Sequence, residues 1–185
     1  AEQECGGGEA LVFIAGHGDR KEQWGEGYLV ARDSVRGQEG HTSYLPHSRL
    51  RDLLDNFRCE HVLALLDACH SGTFDTYLSS NRSGARGELA PAREMSRDEY
   101  LRRQLEFRTR RFITSGRDYL VPDASNFARR LAEVLETRGG PDGILTLAEL
   151  EDHVSRVTPA PHMGFFGTDR LGNRGDTATR VLTVQ

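Results

Sequence analysis

The chain has 185 residues, about the size of a single domain, and its formal net charge of -4 argues against a nucleic-acid-binding surface. No segment has the length and apolar character of a membrane span or a signal peptide. The three cysteines, Cys5, Cys59 and Cys69, are an odd number without metal-ligand spacing, which favours a reducing compartment and a cytoplasmic location.

Apolar runs alternate along the chain with segments of helical periodicity. Strands are predicted at residues 11–15, 28–31, 61–66, 111–114 and 181–184. Helices are predicted to begin at the capping residues Ser48, Ser96, Ser125 and Thr146. Loops are predicted over the polar or glycine-rich segments 18–27, 76–95 and 162–179. The alternation predicts an α/β fold with a mostly parallel sheet.

Two of the predicted strands end in turns that carry reactive side chains. One ends at Ala15-Gly-His17-Gly18, and the other at Asp67-Ala-Cys69-His-Ser-Gly72. In open α/β sheets the functional residues lie just beyond the carboxyl ends of the strands. Because a thiol must lose its proton to attack, a histidine facing it across the cleft can act as its base. The pattern predicts Cys69 as nucleophile and His17 as base, with the backbone N–H groups of Gly18 and Cys69 stabilising an oxyanion.

Each of these residues also has a structural interpretation. A cysteine after an apolar strand is more often a buried structural thiol, and a histidine there often bonds to the backbone. The His-Ser-Gly turn after Cys69 favours the catalytic interpretation, because a core cysteine needs no turn at that point. The remaining histidines are assigned no catalytic role, namely His41, His47, His61, His70, His153 and His162.

The two strand-end motifs resemble those of the caspase-like cysteine peptidases, and more those of metacaspases and their bacterial relatives than those of animal caspases. The segments Gly27-Tyr-Leu-Val30 and Arg111-Phe-Ile-Thr-Ser115-Gly-Arg-Asp118 are similar to strands of the same family. The resemblance runs from about residue 10 to the end. It implies a three-layer sandwich whose first strands lie upstream of this chain. It also implies a large-subunit-like part (1–75), a linker (76–110) and a small-subunit-like part (111–185).

The resemblance implies a cysteine endopeptidase that acts on protein substrates in a regulated defence or cell-death pathway, together with a regulatory domain or upstream partner. In the family, the position of Asp67 holds a carboxylate beneath the P1 side chain of the substrate. This implies cleavage after Arg, then Lys, because an acidic P1 would place like charges together. The expected substrate pocket is completed by Ala15, Ser115, Gly116 and Asp118.

Several alternatives remain open at this stage. Asp67 could pair with one of the protein's own arginines, and Asp118 and Asp123 could be surface acids. No cofactor is expected. The resemblance leaves activation by calcium open, although the chain has no EF-hand-like run that would support it. Self-processing in the linker is predicted after one or more of Arg82, Arg86, Arg93, Arg102 and Arg103.

Two other functions compete with the endopeptidase. One is a catalytically silent caspase-like module that only binds or scaffolds. The other is a different thiol enzyme on a similar α/β scaffold. Pseudoenzymes usually lose one of the two catalytic residues, and this chain has both His17 and Cys69. The sequence therefore favours an active enzyme.

Overall fold

The computed structural model describes residues 8–21, 23, 25–37, 41–75, 102, 108–116, 125–136, 145–167 and 181–182. The strands in these ranges are β1 (Glu9–Ala15), β2 (His17–Lys21), β3 (Glu26–Val30), β4 (Leu45–Pro46), β5 (His61–Asp67), β6 (Thr109–Thr114), β7 (Leu145–Thr146), β8 (His162–Phe165) and β9 (Val181–Leu182). The helices are α1 (His47–Asp55), α2 (Asn126–Glu136) and α3 (Leu147–Ser155).

The central sheet has the strand order β1-β5-β6-β8. β5 pairs in parallel with β1 and with β6, whereas β6 and β8 are antiparallel. The predicted α/β class with a mostly parallel sheet is therefore confirmed. Every residue of β5 is buried, which explains its nearly continuous apolar sequence, since a strand covered on both faces shows no alternation.

Helices cover both faces of this sheet. Val62, Ala64 and Leu66 of β5 point into a core cluster that includes residues of α1. The alternate residues, Leu63 and Leu65, point into a second cluster formed with α2 and α3. Because side chains alternate along a strand, β5 contributes to both cores and forms the centre of the fold.

Two predicted loops are wrong in part. The segment 18–27 contains most of β2, which pairs with β3 as an antiparallel hairpin, and the segment 162–179 begins with β8. β2 has a polar sequence without hydrophobic alternation, so its pairing rests on backbone hydrogen bonds that leave no sequence pattern. In β8, Gly164 packs against the ring of Phe112, where a Cβ would lie 2.6 Å from the ring Cζ. That glycine serves close packing rather than a turn.

The helix starts agree with the prediction at one position and differ at another. The Ser125 hydroxyl accepts a hydrogen bond from the Ala128 N–H at 3.1 Å, so this predicted cap is confirmed. The predicted cap at Ser48 is wrong, because α1 already begins at His47. The backbone N–H of Ser48 instead donates to the carboxylate of Glu26 at 3.0 Å. A side chain from the hairpin thus replaces the local cap.

The proposed division of the chain is only partly covered by the described residues. β6 begins at Thr109, so it includes the last residues of the predicted linker 76–110. The rest of the linker lies outside the described residues, apart from Arg102 and Arg108, as does the Ser96 cap. β6 pairs directly with β5, so the large-subunit-like and small-subunit-like parts contribute to one sheet.

The cysteines differ from the expectation of three reduced thiols. Cys59 is disulfide-bonded, whereas Cys69 forms no disulfide. Disulfides persist mainly in oxidising compartments, so the cysteine content no longer favours a cytoplasmic location. In the described part of the chain, no helix has the length and apolar character needed to cross a bilayer.

A buried arginine joins α1, the turn before β5, and β6. Arg110 has no exposed surface, and its guanidinium donates to the main-chain oxygens of Asp55, Phe57, Cys59 and Glu60 at 2.9 to 3.4 Å. Its Nε also lies 3.4 Å from the carboxylate of Asp55. Buried charges are tolerated where they are paired and hydrogen-bonded in this way.

We expect Arg110→Met to lower the free energy of unfolding by about 3–5 kcal/mol, because it removes the donor to these carbonyl groups and the charge that faces the Asp55 carboxylate. Urea denaturation measures the change. The matched control is Arg129→Met, whose side chain is 72% exposed and which should change the free energy by less than about 0.5 kcal/mol. Equal denaturation midpoints for the wild type and Arg110→Met would contradict the structural role.

Candidate active site

The carboxyl ends of β1, β5 and β6 meet at one edge of the central sheet. The backbone N–H of Gly16 donates to the Asp67 carbonyl at 3.0 Å, and the N–H of Ser115 donates to the Leu66 carbonyl at 2.8 Å. Ala15 pairs with Asp67 in the β1–β5 register. The structure thus brings most of the predicted site residues to a single edge, where α/β proteins bind their ligands.

The two strand-end motifs contact each other through Gly18 and Cys69. A Cβ built on Gly18 would overlap the carbonyl oxygen of Cys69 and lie 2.9 Å from its carbonyl carbon. Only glycine permits this approach. His17, the residue before Gly18, is exposed at the start of β2, and Cys69 is a partly buried cysteine that forms no disulfide. The contact places the histidine-bearing turn beside the turn that holds the thiol.

The backbone after Cys69 forms a tight, internally bonded turn. His70 has a left-handed backbone with φ of 57°, which is uncommon outside glycine. A 3-10 turn, Ser71–Phe74, follows it. The carbonyl of His70 accepts hydrogen bonds from the N–H of Thr73 at 3.2 Å and from its hydroxyl at 3.0 Å. The Ser71 hydroxyl donates to the Gly116 carbonyl at 3.1 Å, which fastens the turn to the end of β6.

Two side chains of α1 support this turn from the protein interior. His47 Nδ1 lies 2.7 Å from the Thr73 hydroxyl oxygen, and Arg51 donates to the carbonyl oxygens of Thr73 and Phe74 at 3.2 and 3.0 Å. Gly27 of β3 makes room for the contact, since a Cβ there would lie 2.7 Å from His47 Nδ1. Sequence analysis gave His47 no role. In the sequence, His47 lies just before the predicted helix cap Ser48, so no periodic pattern marked it as buried.

Burial keeps the imidazole of His47 neutral. Its side chain has no exposed surface. Burial, together with the nearby charges of Arg51 and His70, lowers the pKa of His47 from 6.5 to about 4. In the described part of the chain its Nε2 has no hydrogen-bond partner. His47 therefore acts at neutral pH as an uncharged hydrogen-bonding group.

Asp67 is a buried carboxylate beside the thiol-bearing turn. Its residue is 6% exposed, and within the described ranges Oδ1 has no hydrogen-bond partner. The neighbouring Ser115 is 1% exposed, and its hydroxyl is likewise unpaired with any described residue. A buried carboxylate is costly unless it is paired, so this arrangement suits the binding of a cation.

A hydrogen-bonded Asp–His pair involves the hairpin strand that carries His17. Asp19 Oδ2 is 2.9 Å from His41 Nε2, and Oδ1 accepts the backbone N–H of Arg20 at 2.7 Å. Burial raises the pKa of Asp19, but these hydrogen bonds outweigh it and leave the pKa below its usual value. Tyr28 and Tyr44 pack around the His41 ring, with centroids 5.0 and 4.7 Å away. This cluster stiffens the hairpin.

A third contact holds the far end of the turn. The carboxylate of Asp75 lies 2.6 Å from His162 Nε2, and the two side chains are 10% and 11% exposed. The contact joins the turn after Cys69 to β8. The pocket candidate Asp118 and the residue Asp123 lie outside the described residues. The described residues also contain no grouping of His, Cys, Asp and Glu that could hold a metal ion.

The chain matches no protein-family model, no curated protein and no solved structure. A function for this protein is therefore inferred from the residues and the geometry of the site.

We expect His47 to make the protein less stable in mild acid. The unfolded chain binds a proton on this imidazole below pH 6.5, whereas the native state does so only near pH 4. Protonation therefore favours unfolding, and the free energy of unfolding falls as the pH drops from 6.5 to 4. The loss due to this group is on the order of 3 kcal/mol, at about 1.4 kcal/mol per pH unit.

Urea denaturation at several pH values tests this expectation. His47→Leu removes the titrating group and should flatten the pH dependence. The control His153→Leu changes an exposed histidine of α3 and should retain the wild-type slope. The same acid-induced loss in wild type and in His47→Leu would show that His47 is not responsible.

Proposed function

We propose that this protein is a cysteine endopeptidase of the caspase-like type, with Cys69 as nucleophile and His17 as base. The contact of Gly18 with the Cys69 backbone carries the proposal, because it sets the histidine turn against a cysteine that forms no disulfide, at the carboxyl edge of the sheet. Helices on both faces of a mostly parallel sheet support the three-layer sandwich that the sequence resemblance implies. Action in a regulated defence or cell-death pathway, and self-processing in the linker, belong to the same proposal.

The reaction follows from these groups. His17 takes the proton of Cys69, and the thiolate attacks the carbonyl carbon of the scissile peptide bond. The negative charge that develops on the carbonyl oxygen is stabilised by the backbone N–H groups of Gly18 and Cys69. The protonated His17 then gives its proton to the departing amine, which leaves a thioester on Cys69. A water molecule, deprotonated by His17, hydrolyses the thioester and regenerates the thiol.

Asp67 supports a preference for basic P1 residues. Its buried Oδ1 is not hydrogen-bonded within the described chain, so no described arginine of the protein satisfies it. An arginine side chain would supply charge and two parallel N–H donors, and lysine would supply charge and single N–H donors without that paired geometry. The hydroxyl of Ser115 offers a further acceptor nearby. We therefore propose cleavage after Arg and, more slowly, after Lys.

Removal of either member of the dyad should abolish or strongly reduce peptidase activity. We expect Cys69→Ala to be inactive and folded, since alanine fits the turn. His17→Ala should reduce kcat about 10²- to 10⁴-fold, the usual contribution of a positioned base.

Hydrolysis of an Arg-P1 fluorogenic peptide gives the rates, and circular dichroism confirms folding. His153→Ala is the matched control and should be fully active. Substantial turnover by folded Cys69→Ala would refute Cys69 as the nucleophile and leave a different enzyme.

The P1 preference is tested with peptides that differ only at P1. Wild type should cleave Arg-P1 best, Lys-P1 less well and Asp-P1 not at all. Asp67→Asn should weaken turnover of the Arg-P1 peptide about 100-fold or more, because a charge-assisted pair is replaced by a neutral contact. It should still react with a small alkylating agent at Cys69. The matched acid-to-amide control is Asp152→Asn, whose side chain is 64% exposed. Efficient cleavage after Asp would overturn the pocket assignment.

A further inference from the structure

A continuous chain of hydrogen bonds runs from the start of α1 to the carbonyl of His70, in the peptide group that joins His70 to Ser71. His47 Nδ1 lies 2.7 Å from the hydroxyl oxygen of Thr73. The same hydroxyl lies 3.0 Å from the carbonyl oxygen of His70. His70 is the residue next to Cys69, so the chain ends one residue from the thiol.

The direction of each hydrogen bond is fixed by the number of available protons. The Thr73 hydroxyl has one hydrogen, which it donates to the His70 carbonyl. Its oxygen must therefore accept a hydrogen bond from His47, so the imidazole carries its proton on Nδ1. A neutral imidazole then has a bare Nε2, in agreement with the finding that this buried atom has no partner in the described chain.

We propose that His47 is a positioning residue for catalysis, which acts through Thr73 to fix the peptide between His70 and Ser71 and so to hold the adjacent Cys69 thiol and its backbone N–H in the reactive orientation. The inference rests on the proposed function. The left-handed backbone of His70 is unfavourable for a residue with a side chain, so it needs contacts that hold it in place. The two hydrogen bonds to the His70 carbonyl, both from Thr73, provide that hold.

The position of His47 leaves little freedom for another arrangement. Its side chain is fully buried, and the ring packs edge-on against Phe74, with centroids 6.0 Å apart. On the other side, Gly27 lies so close that any side chain there would collide with the His47 ring and the Thr73 hydroxyl. Arg51 donates to the carbonyl oxygens of Thr73 and Phe74, which are not the carbonyl that Thr73 binds. Only the His47–Thr73 chain reaches that group from α1.

Four variants test the role of the hydrogen bonds that link His47, Thr73 and His70. His47→Leu keeps an apolar side chain but removes the donor, whereas His47→Asn keeps an N–H close to the position of Nδ1. Thr73→Val removes the hydroxyl, whereas Thr73→Ser keeps it. We expect His47→Leu and Thr73→Val each to lower kcat about 10- to 100-fold with little change in KM, because a displacement on the order of 1 Å at a reacting group has an effect of that size. His47→Asn and Thr73→Ser should retain most of the wild-type activity.

The chemical reactivity of Cys69 gives a second readout that does not depend on peptidase activity. The rate of alkylation by iodoacetamide, followed by mass spectrometry of the Cys69 peptide, should fall about tenfold in His47→Leu and in Thr73→Val. The double variant should show no further loss, because both changes break the same chain. The matched control is His61→Leu, which breaks another buried His–Thr hydrogen bond, 3.3 Å long, at the opposite end of β5. It should lower the melting temperature and leave the alkylation rate unchanged.

The outcomes separate the inference from the proposed function. If wild type cleaves no Arg-P1 peptide, the proposed function fails, and the alkylation series still decides whether His47 positions the thiol. The inference would be overturned if folded His47→Leu had the alkylation rate and the kcat of the wild type. It would also be overturned if alkylation slowed equally in His61→Leu. If His47→Leu does not fold, the Thr73 pair decides: equal alkylation rates for Thr73→Val and Thr73→Ser would overturn it.

Discussion

The hairpin of β2 and β3 lies against the turn after β5 only because two of its residues have no side chain. A Cβ on Gly18 would collide with the carbonyl of Cys69, and a Cβ on Gly27 would collide with Thr73 and His47. The turn itself is held by α1, the end of β6 and β8 through hydrogen bonds. Because the fully buried β5 supports the turn, the hairpin meets a rigid surface, and the candidate dyad depends on that contact.

The structure treats its buried polar groups near this contact in two different ways. His47 is kept neutral by burial, and its one donor is used on Thr73. Asp67 keeps a buried carboxylate oxygen that no described residue satisfies. The first arrangement stabilises a fixed geometry. The second leaves one carboxylate oxygen that no described residue compensates, and local rules of polar satisfaction are most often broken at functional sites. The two groups therefore support different parts of the proposal, the orientation of the thiol and the charge of the ligand.

Much of the central sheet could be predicted from the sequence, because its signals are local. The apolar run that became β5 and the apolar positions of α1 and α2 depend only on spacing along the chain. The elements that were missed lack such a pattern. β2 is polar and β8 contains Gly164, so both resemble loops until their partners are known. The cap of α1 was misjudged because Glu26, a residue distant in sequence, occupies the backbone N–H of Ser48.

For the candidate site, the sequence by itself determined which residues end the strands and carry reactive groups: His17, Asp67 and Cys69. It also determined that both motifs belong at the carboxyl edge of a parallel sheet, since each follows an apolar run. Only the tertiary structure decided that Gly18 touches Cys69, that Oδ1 of Asp67 is buried without a described hydrogen-bond partner, and that His47 reaches the turn after Cys69 through Thr73. These are contacts between segments far apart in the chain. Their geometry depends on how α1 and the hairpin pack on β5, which no local pattern of side chains encodes.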